Sequence, residues 1–264
     1  MIEQVSPDYL RSAEASGLLA TLDGLPYVVG EHLDAVTGQR QCLAEYVDPG
    51  LLADPSALRR LRQALATTAP AAERTVLRVP PDLSPGPPWT PHLTYIRFTG
   101  KAGPVPPHVL PAETRHEPAL VGWLAAAFDL AGREQGHDAG ARSAELATQL
   151  LAAPDRRSYV ATAGGIAVGH VTLLCAAQDE VTGRDFVELL DSLVEPDQDV
   201  SGLTADLVAA AAAHAEAEGL PLIGHVVHPV GAAASRAEAV LASLLRRGWV
   251  LDHRYYSAPP LEGA

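Results

Sequence analysis

The sequence predicts an α/β (α+β) protein in two parts, and three observations carry that prediction. Segments rich in β-branched and aromatic residues alternate with segments of helical apolar periodicity along the 264 residues. Two proline- and glycine-dense stretches break the chain, so its two parts are unequal. Two of the later helical segments end where a glycine, Gly219 or Gly248, lies just past the periodicity as a C-terminal cap should.

The elements follow in order. YVVGEHL (27–33) and QCLAEYV (41–47) flank a turn segment that begins DAVTG and read as a hairpin. Asp54 and Pro55 supply an N-cap and a proline at the first helical position, so a short helix starts there. TVLRV (75–79) and HLTYIRF (92–98) are further strands by their residue types. Proline forbids helix and glycine permits turns in PPDLSPGPPWTP (80–91) and again in GKAGPVPPHVLP (100–111). We place the boundary at the second stretch, which gives a smaller α+β domain over 1–105 and a larger domain over 106–264.

The larger domain reads as a strand over 108–116, a helix from Pro118 to about Gly132 and a helix from about Ala141 to Ala152. Strands SYVATA (158–163) and IAVGHVTLLCA (166–176) follow, joined by the turn Gly164-Gly165. A long strand, DFVELLDSLV (185–194), leads through a turn into the alanine-rich helix 203–219. Leu203, Leu207, Val208 and Ala211 share one face of that helix, which marks it as packed. A strand (221–227), a helix (234–248) and a last strand (249–257) complete the chain.

Composition excludes several functions. The chain is 47% apolar and 19% charged, enough to bury a real core. Its 19 basic residues against 32 acidic ones leave a net charge of −13, which repels nucleic acid and anionic lipid, so neither is expected as a partner. Cys42 and Cys175 are far apart and outside any CxxC spacing, so neither a disulfide framework nor a zinc site is expected. The opening MIEQVSPDYL has no apolar leader and no run nears the roughly 18 apolar residues of a membrane helix, which predicts a cytoplasmic protein. His225 and His228, three apart on a strand, face opposite ways, so no metal is expected. No G-x-S-x-G elbow supports hydrolase chemistry.

The order of the larger domain, with Val194-Glu195-Pro196 closing a strand, Gly202-Leu203 opening a helix and LLRRGW (244–249) opening the last strand, resembles the GCN5-related N-acetyltransferase (GNAT) superfamily over about residues 108–258. The resemblance implies a mixed, mostly antiparallel sheet flanked by helices. It leaves the first half open to reading as a degenerate copy of the same fold. It also implies a binding turn for the pyrophosphate of acetyl-CoA or another acyl-CoA, of pattern R/Q-x-x-G-x-G/A. Small residues there let the backbone approach, and helix N-terminal N–H groups donate to the phosphate oxygens. The corresponding positions are Asp199, Val200, Ser201, Gly202, Leu203 and Thr204, with Leu193 and Val194 at the strand end. Only Gly202 keeps a motif position, and Asp199 stands where a cation or amide is expected. A carboxylate there opposes an anion by about 1 kcal/mol or more. The competing reading of Asp199 is a helix cap that fills the anion site itself.

Acyl transfer to an amine needs a base, a donor for the thioester oxygen and an acid for the leaving thiolate. Glu188 stands eleven residues before Asp199, where the resemblance places a general base. Strand alternation sends Glu188 and Asp191 to opposite faces of an apolar strand, and burial there would raise a carboxyl pKa. A strand-end carboxylate facing solvent or an arginine is the competing reading for both. By resemblance, the backbone of 192–194 serves the acyl oxygen. The tyrosine that the resemblance implies as the acid is replaced by Leu244, with Tyr255 and Tyr256 as substitutes, although core packing accounts for either. The expected function is acetyl transfer to the amine of a small molecule, with an alanine-rich, nearly lysine-free composition hinting at secondary metabolism. The alternatives are a cleft turned to elimination or cyclisation without acyl-CoA, and a binding subunit that packs as a homodimer or against a partner.

Overall fold

The structure is a computed structural model, and it describes residues 4–137, 140–230 and 234–261. Two compact units divide it. The first gathers the described residues of Met1–Tyr95, Asp179–Arg184 and Leu251–Ala264, and the second gathers Ile96–Gln178 and Asp185–Val250. Compactness therefore groups the chain differently from a single cut after residue 105, because two later segments return to the first unit.

The first unit begins with α1 (Pro7–Ala15) and the strands β1 (Leu19–Leu22), β2 (Leu25–Leu33) and β3 (Arg40–Val47). Helices α2 (Pro49–Ala53) and α3 (Pro55–Thr68) lead to β4 (Arg74–Val79) and β5 (Thr90–Phe98), the last of which passes into the second unit after Tyr95. Strand β11 (Trp249–Ala258) enters the first unit at Leu251. Strand order is β1-β2-β3-β4-β11, antiparallel at every pair except β3 and β4. The expected hairpin at 27–47 and helix at Pro55 are present. Asp54 accepts from the N–H groups of Ser56 (2.9 Å) and Ala57 (3.1 Å), which is why α3 starts there. Ala57, Leu58, Leu61 and Leu65 repeat at helical spacing and bury against Cys42, Ala44 and Leu77. Each such leucine contributes about 1.5–3 kcal/mol by leaving water.

The second unit holds β6 (Val109–Pro111), a single 3-10 turn at Thr114–His116, α4 (Glu117–Glu134) and α5 (Gly140–Leu151). Strands β7 (Arg156–Ala163), β8 (Ile166–Asp179) and β9 (Arg184–Val194) follow, then α6 (Val200–Glu218), β10 (Leu222–Val227) and α7 (Ala234–Arg246). Strand order is β10-β9-β8-β7-β6, with β9 and β10 parallel and β6, β7 and β8 antiparallel. Leu120, Leu124, Ala147, Leu151 and Val160 form a core cluster between α4, α5 and the sheet. The strand expected over 108–116 is shorter than read, since pairing stops at Pro111 and the 3-10 turn takes the next residues. The helix expected from 203 starts earlier, at Val200, because Asp199 caps it. Gly219 ends it at φ 70°, the left-handed region that glycine enters at least cost. Among the described residues no helix is long and apolar enough to cross a membrane.

Candidate functional site

The geometry of the second unit centres on where β9 and β10 part. Their parallel register covers Leu222↔Val187, Ile223↔Glu188 and Gly224↔Leu189 and stops there, while β9 continues to Val194 and β10 to Val227. Backbone groups beyond the last pair are thus released from each other, which is how a parallel sheet makes room for an extended ligand. The far end of β9 is held instead by β8. Glu195 N–H donates to the Val168 carbonyl at 2.9 Å, and a Cβ built on Gly169 would lie 2.7 Å from the Leu193 carbonyl oxygen. Only glycine allows this approach, so Gly169 fixes the direction in which the strand end diverges.

Glu188 sits one residue before the end of the register. Its Oε1 lies 3.5 Å from His225 Nδ1, and both side chains are about one-fifth exposed, at 18% and 21%. A carboxylate and an imidazole in reach of solvent can pass a proton between a bound molecule and water. Asp191 goes elsewhere, its Oδ2 lying 3.1 Å from Nε2 of His170, a close contact without the alignment of a hydrogen bond. His170 is fully buried, its ring stacked on Trp123 of α4 at 5.3 Å between centroids and 2° between planes. Its Nδ1 meets Thr172 Oγ1 at 3.1 Å, and Thr172 Oγ1 meets Ser158 Oγ at 2.9 Å. Asp191 thus lies against a buried series of His170, Thr172 and Ser158. Trp123 Nε1 donates to Glu195 Oε1 at 2.7 Å, tying α4 to the residue just past β9.

The turn after β9 is sealed by its own carboxylate. Asp199 Oδ1 accepts from the Gly202 N–H at 3.1 Å, and a Cβ added to Gly202 would lie 2.3 Å from Asp199 Oδ2. The Val200 N–H donates to the Gln198 carbonyl at 2.8 Å, so two of the N–H groups an anion would use are occupied. Val200 and Ser201 are exposed, and Gly202, Leu203 and Thr204 are partly so. Val194 is buried at the strand end, next to Leu193. Arg247 Nη2 donates to Ser201 Oγ at 3.3 Å, bringing a guanidinium to the turn from beyond α7. LLRRGW reads in the sequence as a fold signature, but the contact of its second arginine with Ser201 is visible only in three dimensions. His225, set aside with His228 as a non-ligand, likewise gains its meaning from Glu188.

Tyr255 and Tyr256 belong to the first unit. Tyr256 is 4% exposed in that unit's apolar core. Burial pushes the Tyr255 phenol pKa up, and Arg78, Glu45 and Asp179 surround it. Arg78 makes a two-pronged pair with Asp179, both contacts 2.7 Å. Burial alone would raise the Asp179 carboxyl, but the hydrogen bonds and charge of Arg78 outweigh it and hold the pKa at about 2.

No protein-family model matches the sequence, and no curated protein matches it. Solved structures do match its fold. A GNAT-family acetyltransferase from Colwellia psychrerythraea is similar at a TM-score of 0.54 and 13% identity, over 97% of each chain. A GCN5-related N-acetyltransferase from Sphaerobacter thermophilus is similar at a TM-score of 0.52 and 13% identity, over 91% of this chain and 78% of that one. At such identities the likeness shows the fold, and the chain has the GNAT fold, a mostly antiparallel mixed sheet flanked by helices.

Proposed function

We propose that the second unit is an acyl-CoA-dependent N-acyltransferase acting on the amine of a small molecule. The observation that carries this reading is the parting of β9 and β10 immediately beyond Glu188 and Leu189, beside His225. An acyl thioester would supply the activated carbonyl. Glu188, with His225 behind it, would take the proton from the acceptor ammonium, leaving the amine lone pair free to attack the acyl carbon; the new C–N bond would replace the C–S bond, and the departing thiolate would take a proton from water. Backbone N–H groups of 192–194, past the last registered pair, would face the developing negative charge on the acyl oxygen. The pyrophosphate would lie over the start of α6, with Arg247 and Ser201 beside it.

The turn fits that group only if Asp199 swings off the Gly202 N–H. That same contact favours a second reading, in which the cap is permanent and the cleft serves chemistry without acyl-CoA. Calorimetry with acetyl-CoA on wild type and Asp199→Arg separates them. The first reading expects wild-type binding that tightens roughly tenfold or more in the variant as a carboxylate gives way to a cation. It further expects Glu188→Gln to bind acetyl-CoA as before while amine acetylation falls about 100-fold or more. Failure of both proteins to bind would sink the acyl-CoA reading and leave the second.

A further inference from the structure

The proline-rich stretch 80–91 that breaks the sequence is a wall. Within the first unit it faces α3 across a cleft of about 600 Å³. Arg59, Arg60 and Arg62 line one side, and Pro87, Pro88 and Trp89 line the other. Among the described residues no carboxylate lines the cleft, although the whole chain carries a charge of −13. The cleft is therefore a concentrated positive region on an acidic protein, and a local field of that kind draws small anions.

The three guanidiniums are not equivalent. Arg60 is held at the edge by Asp23 and by Ser56 Oγ (3.0 Å), so part of its charge is met. Arg62 Nη2 donates to the Pro259 carbonyl at 2.9 Å, a neutral acceptor that orients the group without cancelling its charge. Its Nε is buried and has no hydrogen-bond partner among the described residues. Arg59 is exposed, and its spacing of three from Arg62 puts both on one helix face. The opposite wall is of another kind. Proline rings are rigid and apolar, and Trp89, 6% exposed, is fixed by the core beneath them.

We propose that this cleft binds a small organic anion, a carboxylate or a phosphate monoester, whose flat or aliphatic body lies on the proline wall while its oxygens meet Arg59 and Arg62. Guanidinium forks match carboxylate and phosphate oxygens in pairs, which both head groups satisfy. The volume lies within the range of roughly 300–1,000 Å³ of small-molecule sites and far exceeds an inorganic ion. A long polyanion is disfavoured, because the rest of the chain repels it.

Equilibrium binding tests this independently of any acyl transfer. The full-length protein is titrated calorimetrically with phenyl phosphate, benzoate and neutral phenol at low and raised salt. The proposal expects at least one of the two anions to bind at millimolar concentration or below, to weaken as salt rises, and to exceed phenol about tenfold. The tighter anion identifies the head group. Arg59→Gln alone, which leaves the Arg62 contact with Pro259 intact, is expected to lose several-fold in affinity. Arg59→Gln with Arg62→Gln is expected to lose about tenfold or more, with an unchanged circular dichroism spectrum. Absence of binding by either anion, phenol binding as tightly as they do, or full affinity in both variants overturns the proposal.

Discussion

The parallel pair β3 and β4 of the first unit and the parallel pair β9 and β10 of the second are built alike up to their last registered residues. Each is joined by a helical crossover, and in each an aspartate caps the helix that follows the first strand: Asp48 for α2 at 2.8 Å from the Gly50 N–H, Asp199 for α6 at 3.1 Å from the Gly202 N–H. Beyond the registers they diverge. Past Ala44↔Leu77, the next residue of β4 is Arg78, locked two-pronged onto Asp179 with both side chains at most 10% exposed. By the end of the β9 register stands Glu188, loosely paired with His225 and about one-fifth exposed. A buried pair with its hydrogen bonds made has nothing left to offer a substrate. A carboxylate about one-fifth exposed can still exchange a proton with solvent, which is why the proposed chemistry is assigned to the second unit.

The largest effect expected from breaking this contrast is on stability. Asp179→Asn leaves Arg78 buried without its counter-charge, a change of about 3 kcal/mol by analogy with broken buried pairs, measurable by urea unfolding at neutral pH. The pH dependence follows from the sign of the shift. A carboxyl whose pKa falls on folding, here from 3.8 to about 2, adds stability above its unfolded value and loses it as pH drops through the folded one. Wild type should therefore lose this contribution between about pH 4 and pH 2, while Asp179→Asn should lack that component. A variant as stable as wild type would show that the pair is not what closes the first unit.

A somewhat smaller loss is expected at Gly169. Alanine there places a Cβ 2.7 Å from the Leu193 carbonyl, a backbone atom that cannot rotate away. Overpacking of this kind costs about 1–3 kcal/mol. Because β8 steers the end of β9, Gly169→Ala should also weaken acetyl-CoA binding. Unchanged binding with lowered stability would separate the strand end from the ligand site.

The caps offer a matched test. Asp48→Ala and Asp199→Ala should each lower stability by about 1 kcal/mol, as lost N-caps do. Only the second should tighten acetyl-CoA binding. If both do, or neither does, the two crossovers are not functionally distinct.

Much of this was legible in the sequence where the signal is local. Asp54-Pro55 and Gly219 mark helix ends because capping is settled within four residues. The turn at Gly164-Gly165 is likewise where it was read, with both residues at positive φ. Helix α1 is not evident in the sequence although Pro7 occupies its first turn, since its nine residues bury only Ala13. Glu188 was singled out by position alone. Its partner could not be, because His225 reaches it only through the register Ile223↔Glu188, and no spacing along the chain encodes that pairing. The arginine cleft is hidden for the same reason, as the two segments that line it, α3 and the stretch 80–91, are separated in the sequence by β4.

The smallest expected effect concerns the cation missing from the turn. Where the GNAT pattern has a positively charged or amide residue, this chain has Asp199, and Arg247 Nη2 reaches Ser201 Oγ at 3.3 Å from outside the motif. The contact is exposed, so Arg247→Gln should change stability by no more than about 0.5 kcal/mol. If Arg247 supplies the charge that Asp199 displaced, acetyl-CoA affinity should fall by a few-fold, and more at low salt than at high. The first unit serves as the control, since its cap at Asp48 faces no phosphate under the proposed function. An Arg247→Gln protein that binds acetyl-CoA like wild type at every salt concentration would mean that the turn holds its ligand through α6 alone, and the second unit would then owe its chemistry to the parted strands and not to a relocated cation.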